Sequence, residues 1–476
     1  MKLTNSTRRW MSMKLKTIVA SLVALGLSGS VLAMQPYMMD PSFQRDVMRY
    51  QVNKLDMILD RNQPGGFDQP CGWTCRINIS GWMNTDAYLA NKPPVFLGLN
   101  PAFNLNDLNV ENLPVLQPTS GRASDLILNN ANLFVDARVN NWVTANMSVV
   151  YSSLSGIPGS TGPYNIANSL FVYHPLNRTS IDTAYATIGN FQASPIYFRV
   201  GKEYIPFGAY DPYGFVTQEN PTQLFTEITA TAAQLGFIIP NGLYGSVYTF
   251  AGNPKLSDGG STRRIQNGGV DLGWGWRWFN SKFNLNAGYL ANIADTNFLS
   301  SYYLNSLIEV TTVPGLPNEK APAYDVNADV TFGPFDANGH YVATTRNFRK
   351  PILLGLPAAP PPETISSLTF KKPKLWGLEV GLTFPVVAHQ SRLAIGYQGT
   401  TQLAGLLPKN RYYIDYMVNL AKWFDLGIAV FQDRDYSFSE ENISVNDPEG
   451  GSLLLSSDGT GNKSTVGQLR ASIKFA

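Results

Sequence analysis

The stretch from Asp125 to Tyr151 alternates apolar and polar residues with a period of two. One face of its first half carries Ile127, Asn129, Ala131, Leu133, Val135, Ala137 and Val139. The other face includes Asn130, Asn132, Asp136 and Arg138, and after a break at 140–142 the alternation resumes from Val143. This period is typical of strands with one apolar and one polar face. We predict a β-hairpin whose strands, about 10 residues each, can cross a hydrocarbon layer.

The same alternation continues to the end of the chain and predicts an all-β fold, a transmembrane antiparallel β-barrel of sixteen strands. Short turns such as 140–142 and 280–281 alternate with long loops such as 90–124 and 293–321. This arrangement, with an even number of strands, is typical of outer-membrane barrels. The predicted strands cover residues 76–89, 125–139, 143–152, 180–191, 194–204, 228–238, 242–252, 268–279, 282–292, 322–332, 335–346, 374–385, 391–402, 411–421, 424–435 and 464–475.

Several strands indicate which face meets lipid. In 268–279 the apolar positions are Val270, Leu272, Trp274, Trp276 and Trp278, opposite Asp271, Gly273, Gly275 and Arg277. In the last strand the apolar face carries Leu469, Ala471, Ile473 and Phe475, and the polar face carries Gln468, Arg470, Ser472 and Lys474. Ionised side chains on an inner face require water, so the pattern predicts a wet lumen and a pore.

Composition narrows the class further. Charged residues make up 15% of the chain, below the ~25% usual for soluble domains, and aromatic residues make up 12%. After residue 33 no apolar run approaches the ~20 residues of a spanning helix, which excludes a helical membrane protein. No basic cluster with interleaved aromatic residues occurs, so we expect no nucleic-acid partner.

The N-terminus predicts export. Residues 13–33 begin with the basic residues Lys14 and Lys16, continue with an apolar core and end at the small residue Ala33. This order is typical of a secretory signal peptide. The predicted organisation is a signal peptide at 1–33, with Met13 as an alternative start, a periplasmic helix and linker at 34–75, and the barrel at 76–476. A twin-arginine signal around Arg8-Arg9 is the weaker alternative.

Residues 40–62 carry a helical signal before the barrel. Asp40 can cap the helix with Pro41 at its first position, and apolar residues then recur every three to five positions. We interpret the segment as a short periplasmic helix against the barrel mouth. A coiled coil that associates chains into a homo-oligomer is the alternative.

Cys71 and Cys75 are the only cysteines. In an exported chain this spacing favours a small-loop disulfide. Two reduced thiols are the alternative, and a metal site would need further ligands, since the nearest histidine is His174.

No catalytic motif or cofactor site emerges from the sequence, so we expect neither enzymatic activity nor a cofactor. His174, His340 and His389 are scattered over a loop, a weak strand and a turn. A barrel lipase using His340 with a nearby serine on the lipid-facing side is the enzymatic alternative.

The loop at 205–227 is the best functional candidate in the sequence. It contains Asp211, Glu219 and Glu227 among several aromatic residues. In sixteen-stranded porins the third long loop folds into the lumen and forms the constriction. The inward positions opposite it are Arg138, Arg199, Arg277, Arg411 and Arg470. Crossed acidic and basic walls would orient polar solutes, whereas solvated carboxylates on an external loop are the alternative.

Four barrel segments resemble the LbtU-family siderophore porins of Legionella and its relatives. They are VNNWVTANMSVVY (139–151), FRVGKEYIPFGAY (198–210), NGLYGSVYTFAGN (241–253) and NAGYLANIAD (286–295). Their order and spacing are similar too, and the resemblance covers roughly residues 76–476. It implies a sixteen-stranded outer-membrane barrel that takes up a ferric siderophore without TonB coupling. The short stretch between Ala33 and Arg76 agrees, because it leaves no room for a plug domain.

The resemblance is incomplete. The N-terminal helix is shorter than that family's coiled-coil segment, the Pro-rich stretch 351–362 has no counterpart, and no ligand-binding residue can be transferred. A general or differently selective diffusion porin for small polar solutes is therefore the alternative function, and a structural or adhesive barrel is a third. Expected partners are outer-membrane lipid and lipopolysaccharide, which Arg263-Arg264 and Arg349-Lys350 could attract.

The constriction hypothesis predicts the effect of neutralising the acidic loop. Replacing Asp211 with Asn and Glu219 with Gln should shift ion selectivity toward anions, because two negative charges would leave the narrowest part of the lumen. Reversal potentials across a salt gradient measure this shift, and an unchanged selectivity would remove the loop from the lumen.

Overall fold

The computed structural model describes residues 77–91, 122–152, 178–208, 221–299, 320–352, 366–403, 407–436, 444–446, 452–454 and 463–475, with gaps of one or two residues inside some ranges. The predicted signal peptide, the helix at 40–62 and the Cys71–Cys75 pair lie outside the described residues.

Sixteen strands form one closed antiparallel barrel, which confirms the predicted fold class. They are β1 (Ile77–Asn91), β2 (Arg122–Arg138), β3 (Val143–Ser152), β4 (Arg178–Ile188), β5 (Ile196–Tyr204), β6 (Thr229–Ile238), β7 (Leu243–Ala251), β10 (Ile265–Trp278), β11 (Ser281–Leu290), β12 (Ala323–Phe332), β13 (Phe335–Thr344), β16 (Lys374–Val386), β17 (His389–Thr401), β18 (Asn410–Ala421), β19 (Phe424–Arg434) and β22 (Lys463–Phe475). Each strand pairs with the next, and β22 pairs with β1. The bounds agree with the sequence prediction to within a few residues.

Six shorter strands lie in regions that the sequence assigned to loops. They are β8 (Lys255–Ser257), β9 (Gly260–Thr262), β14 (Phe348–Ile352), β15 (Ser366–Phe370), β20 (Ser444–Asn446) and β21 (Ser452–Leu454). The first two form a hairpin, and the other four form a separate sheet in the order β14-β15-β20-β21. Strands of three to five residues are too short to show a period, and β15 pairs with β20 across a long sequence separation.

The two faces of the barrel differ as the alternation predicted. On β10 the side chain of Trp274 is 49% exposed, whereas that of Asp271 is 3% exposed. Outward aromatic rings pack together near the short turns, with ring centroids 5.7 Å apart for Trp274 and Trp276 and 4.5 Å apart for Trp276 and Phe283. An aromatic girdle flanking an apolar band is typical of transmembrane barrels.

The alternation changes phase in β2, contrary to the prediction of one continuous face from Ile127 to Val139. The register with β1 pairs Asn84 with Asn130 but Thr85 with Leu128, so it skips Asn129. Leu126 is accordingly 72% exposed, although its even number assigned it to the inner face. A β-bulge inserts one residue into one strand and so reverses the faces beyond it.

Helices are few and short in the described part of the chain. Helix α1 spans Pro221–Thr226, and a 3₁₀ turn spans Ile293–Asp295. None of the described helices has the length and apolar character of a membrane-spanning helix.

Strands β1 and β22 close the barrel, and a buried ion pair joins them. Asp86 lies directly opposite Arg470, whose Nε and Nη2 donate to the two carboxylate oxygens at 2.6 Å each. Gln468 and Tyr88 donate further hydrogen bonds to Asp86. Both charged side chains are at most 1% exposed. The junction of β1 and β22, which we call the seam, therefore depends on their pairing.

Removing one partner of this pair should destabilise the barrel. Arg470→Met leaves the buried Asp86 carboxylate without its cation, and we expect a loss of about 3–5 kcal/mol in the free energy of unfolding. Urea unfolding followed by tryptophan fluorescence measures the difference. Leu469→Met, one residue away on the lipid-facing side, is the matched control and should unfold close to wild type. Equal midpoints for the two variants would contradict a structural role for the seam pair.

Candidate functional site

The C-terminal part of the loop between β5 and β6 lies inside the barrel. Pro221 occupies the first position of α1, where its missing N–H has no helical partner to lose. Thr222 hydrogen-bonds the ring Nε2 of His340, a buried residue on the inner face of β13. Phe225 and Ile228 are each 1% exposed. The segment from Pro221 to Ile228 is therefore packed against the inner wall.

This segment belongs to an apolar cluster at the loop end of the lumen. The strands contribute inward-facing residues from much of the ring, and the loops contribute residues that are fully buried among them. The cluster includes Ile205, Phe207, Phe225, Ile228, Phe250, Leu290, Ile293, Leu299, Ala323, Val342, Leu375, Leu403, Leu407, Phe431 and Val466. Burial of this apolar surface stabilises the inward position of the loop segments.

Glu227 ties the inward segment to the loop that follows β11. Its carboxylate accepts hydrogen bonds from Gln223 Nε2 at 2.8 Å and from Asn297 Nδ2 at 3.0 Å. The backbone nitrogen of Asn297 also donates to the backbone carbonyl oxygen of Glu227 at 2.7 Å, and Asn297 Oδ1 accepts from the backbone nitrogen of Thr229 at 3.0 Å. Glu227, predicted as a constriction residue, thus accepts hydrogen bonds in a buried network that we call the latch. The latch consists of Gln223, Glu227, Thr229 and Asn297. Asp211 and Glu219 lie outside the described residues.

Three of the predicted inward arginines are buried in ion pairs. Arg199 Nη1 is 3.4 Å from Glu203, and its guanidinium lies 4.7 Å from the centre of the Tyr185 ring. Arg411 binds Asp433 through Nε at 2.8 Å and Nη2 at 3.1 Å. Arg470 forms the seam pair. The side chains of Arg138 and Arg277 lie outside the described residues.

These ion pairs weaken the electrostatic field that the three arginines exert in the lumen. Each of these three arginines has a carboxylate on its own or a neighbouring strand, so its field is largely cancelled a few ångströms away. The three arginines point inward, as the alternation predicted. They do not form a continuous basic wall. Their role in binding or constriction stays a prediction.

A charged network that the sequence did not single out lies on β13, β16, β17 and β18. Arg392 Nη2 contacts Asp336 Oδ1 at 2.5 Å and Glu379 Oε1 at 2.6 Å, and Tyr413 donates to the other oxygen of Glu379 at 2.7 Å. Each residue occupies an inward position of its own strand. The strand register was needed to bring them together, because they are spread over more than seventy residues of sequence.

Two glycines make room for this network. A Cβ at Gly381 would lie 2.5 Å from Arg392 Nη2, and one at Gly396 would lie 2.1 Å from Tyr413 Cζ. A side chain at either glycine would therefore force the guanidinium or the phenol ring out of its present position.

The described histidines form no catalytic arrangement. His340 points into the lumen toward Thr222, and His389 Nδ1 is 3.2 Å from the Asn419 carbonyl oxygen. Because His340 faces inward, it does not supply the lipid-facing pair that the barrel-lipase alternative requires. Within the described ranges, no group of three or more His, Cys, Asp or Glu side chains could hold a metal ion.

The fold and the lumen together define a transmembrane β-barrel with a polar interior. No protein-family model matches the chain. It is 25% identical over 328 residues to a UPF0422 protein of Legionella pneumophila strain Philadelphia 1, covering 66% of this chain and 56% of that protein. It is 22% identical over 332 residues to a UPF0422 protein of Coxiella burnetii, covering 68% and 62%. The chain thus spans less than two thirds of the length of these relatives.

Two solved structures illustrate the similarity of the chain trace. The anion-selective porin from Comamonas acidovorans has a TM-score of 0.45 at 10% identity, covering 84% of this chain and 99% of that chain. The outer-membrane channel DcaP of Acinetobacter baumannii has a TM-score of 0.45 at 11% identity, covering 84% and 97%.

The latch predicts how the inward segment can be loosened. Asn297→Asp keeps the shape of the side chain but replaces the donor to Glu227 with a second carboxylate. We expect the segment to lose about 1.5–3 kcal/mol of attachment, which corresponds to a hydrogen bond to a charged group. The expected readouts are greater current noise in single-channel recordings and faster proteolysis near residue 220.

Asn146→Asp is the matched control. Asn146 donates to Asp136 at 2.5 Å between β2 and β3, so the substitution sets an equivalent pair of carboxylates against each other away from α1. Equal noise and proteolysis in both variants would mean that the latch does not hold the segment.

Proposed function

We propose that this chain is an outer-membrane channel through which small polar solutes diffuse. One observation carries the proposal: a closed cylinder presents apolar side chains outward and charged side chains inward on all sides. An ionised group facing hydrocarbon is strongly unfavourable, so the outer face suits lipid and the inner face suits water and solutes. The channel that we propose has a non-enzymatic role.

The exterior supports a location in the outer membrane. Large apolar residues are exposed on strands around the whole barrel, including Leu133, Val247, Leu285, Leu378, Ile414 and Leu469. In water such a continuous apolar belt would aggregate, whereas lipid acyl chains cover it. Membrane lipid is therefore the first partner that we propose, with lipopolysaccharide at the loop end and association of barrels into a homo-oligomer as further expectations.

A ferric siderophore is the specific solute that we propose. The support is the resemblance of four barrel segments to siderophore porins, and these segments include the turn between β2 and β3, most of β5 and all of β7. The inward segment around α1 would then form the constriction that the solute passes. The alternative is a channel without preference among small polar solutes.

Single-channel recording tests the channel itself. Purified protein in a planar lipid bilayer should produce stepwise conductance in potassium chloride, because the charged inner face supports a hydrated path. The absence of conductance from protein that migrates as a folded, heat-modifiable barrel on gels would mean a structural barrel rather than a channel.

Uptake in cells tests the solute. A strain lacking the gene should take up a labelled ferric siderophore more slowly than its complemented counterpart, while uptake of a simple sugar changes little. Equal losses for both solutes would favour the general diffusion channel over a siderophore channel.

A further inference from the structure

The outer face of β18, β19, β22 and β1 changes from apolar to basic toward the loop end. The strand register sets the outward residues in rows, and one apolar row consists of Ile414, Val430, Gly467 and Leu89. The next row toward the loops consists of Tyr412, Gln432, Thr465 and Asn91. The row after it contains Asn410, Arg434 and Lys463. This change takes place over four residues, or about 13 Å along the strands.

Two cations of the last row lie directly opposite each other. Arg434 pairs in register with Lys463, so their Cβ atoms are about 5 Å apart on one face. Lys374, an exposed residue on the outer face of β16, lies three strands from Arg434, or about 14 Å around the barrel. We call Asn410, Arg434, Lys463 and Lys374 the basic patch. Like charges directly opposite repel, so an anion that binds both cations stabilises this arrangement.

The outer face of the described strands carries no acidic side chain. The described carboxylates point into the lumen or lie buried among the inward loop residues, as Asp433 does beside Arg411 and Glu227 beside Asn297. The outer face around the basic patch therefore has a positive charge on its described strands.

The turn end of the outer face differs from the loop end. It carries aromatic rings such as Trp276, Phe283 and Phe384, and no described lysine or arginine side chain faces outward from a strand there. Lys422 lies in the turn between β18 and β19. Because the long loops of outer-membrane barrels are external, the basic patch faces the external leaflet.

Aromatic rings fix the depth of the patch in the membrane. Tyr397 and Tyr412 lie opposite each other, with ring centroids 5.0 Å apart, and Trp376 lies two residues below Lys374 on the same face. Such rings mark the boundary between hydrocarbon and lipid headgroups. The patch lies one outward position nearer the loops, about 7 Å along the strand, which is the level of the headgroup phosphates.

A hydrogen bond from this aromatic layer orients one residue of the patch. The Tyr397 hydroxyl donates to Asn410 Oδ1 at 2.8 Å. Because the amide oxygen accepts this bond, the other polar atom of the Asn410 side chain is a donor. Guanidinium, ammonium and amide N–H groups are all donors to phosphate oxygens.

We propose that the basic patch binds the phosphate groups of lipopolysaccharide in the external leaflet. Arg434 binds phosphate oxygens through its planar guanidinium, Lys463 binds as a point charge, and Lys374 binds a second phosphate of the same molecule. The acyl chains lie on the apolar row that contains Ile414 and Val430. A lipid with one phosphate fits less well, because the cations are spread over three strands.

This inference rests on the proposed outer-membrane function and identifies a lipid partner and its contact residues. The patch is separate from Arg263-Arg264 and Arg349-Lys350, which the sequence suggested for this role and whose side chains lie outside the described residues.

Lipopolysaccharide and the same preparation after chemical removal of its phosphates form a matched pair of probes. Titration of the fluorescently labelled full-length barrel in detergent measures both dissociation constants. The intact form should bind at least tenfold more tightly, because cations near a membrane surface attract anionic headgroups. Arg434→Gln with Lys463→Gln should abolish most of this difference while conductance in planar bilayers stays unchanged.

Two double variants are the controls. Lys320→Gln with Arg346→Gln removes two exposed cations at the same end of the barrel but outside the patch, and should keep the preference for intact lipopolysaccharide. Arg434→Lys with Lys463→Arg keeps both charges in the patch, and should keep most of the preference.

The outcomes separate the two proposals. A folded barrel that lacks conductance but prefers intact lipopolysaccharide overturns the channel function alone. A conducting barrel that binds the two preparations equally overturns the patch alone, and so does a Lys320→Gln/Arg346→Gln variant that loses the preference as fully as the patch variant. Phosphatidylglycerol micelles bound as tightly as intact lipopolysaccharide overturn the proposed partner. Should the patch variant not fold, an undiminished preference in Lys463→Gln overturns the patch.

Discussion

The whole structure depends on one constraint, which is that a strand in hydrocarbon must satisfy its backbone hydrogen bonds with other strands. An open sheet would expose the N–H and C=O groups of two edges to lipid, so the sheet has to close. Here closure joins β1 to β22, at opposite ends of the barrel-forming sequence. The even number of strands and the outward apolar belt follow from that closure.

Closure also creates an interior with two kinds of chemistry. Toward the long loops, inward apolar residues pack against loop residues such as Phe207 and Phe225. Deeper in the barrel the inner face is charged, and most charges are neutralised by a neighbour across the strand ladder. The Asp86–Arg470 and Asp425–Lys474 pairs both involve β22, so they stabilise the last strands to complete the barrel.

The inward segment and the charged network meet on the same strands. Thr222 of α1 contacts His340 on β13, and the Asp336–Arg392–Glu379 network spans β13, β16 and β17. A solute on the proposed path would therefore pass α1 beside the strands that carry this network. The inward segment and the charged network can vary independently, because a loop supplies the first and strands supply the second.

Local alternation determined much of this protein from the sequence alone. A period of two is a property of neighbouring residues, so the sixteen long strands and the lipid face of strands such as β10 could be predicted without knowing any partner. Tertiary structure decided what depends on the partner strand. The bulge at Asn129 reverses the faces of β2, and β15 pairs with β20 only because their loops meet. Asp433 and Asp415 were equivalent in the sequence, as acidic residues on barrel strands. Only the register set Arg411 beside the first and alanines on both sides of the second, so only the first carboxylate lies directly opposite a cation.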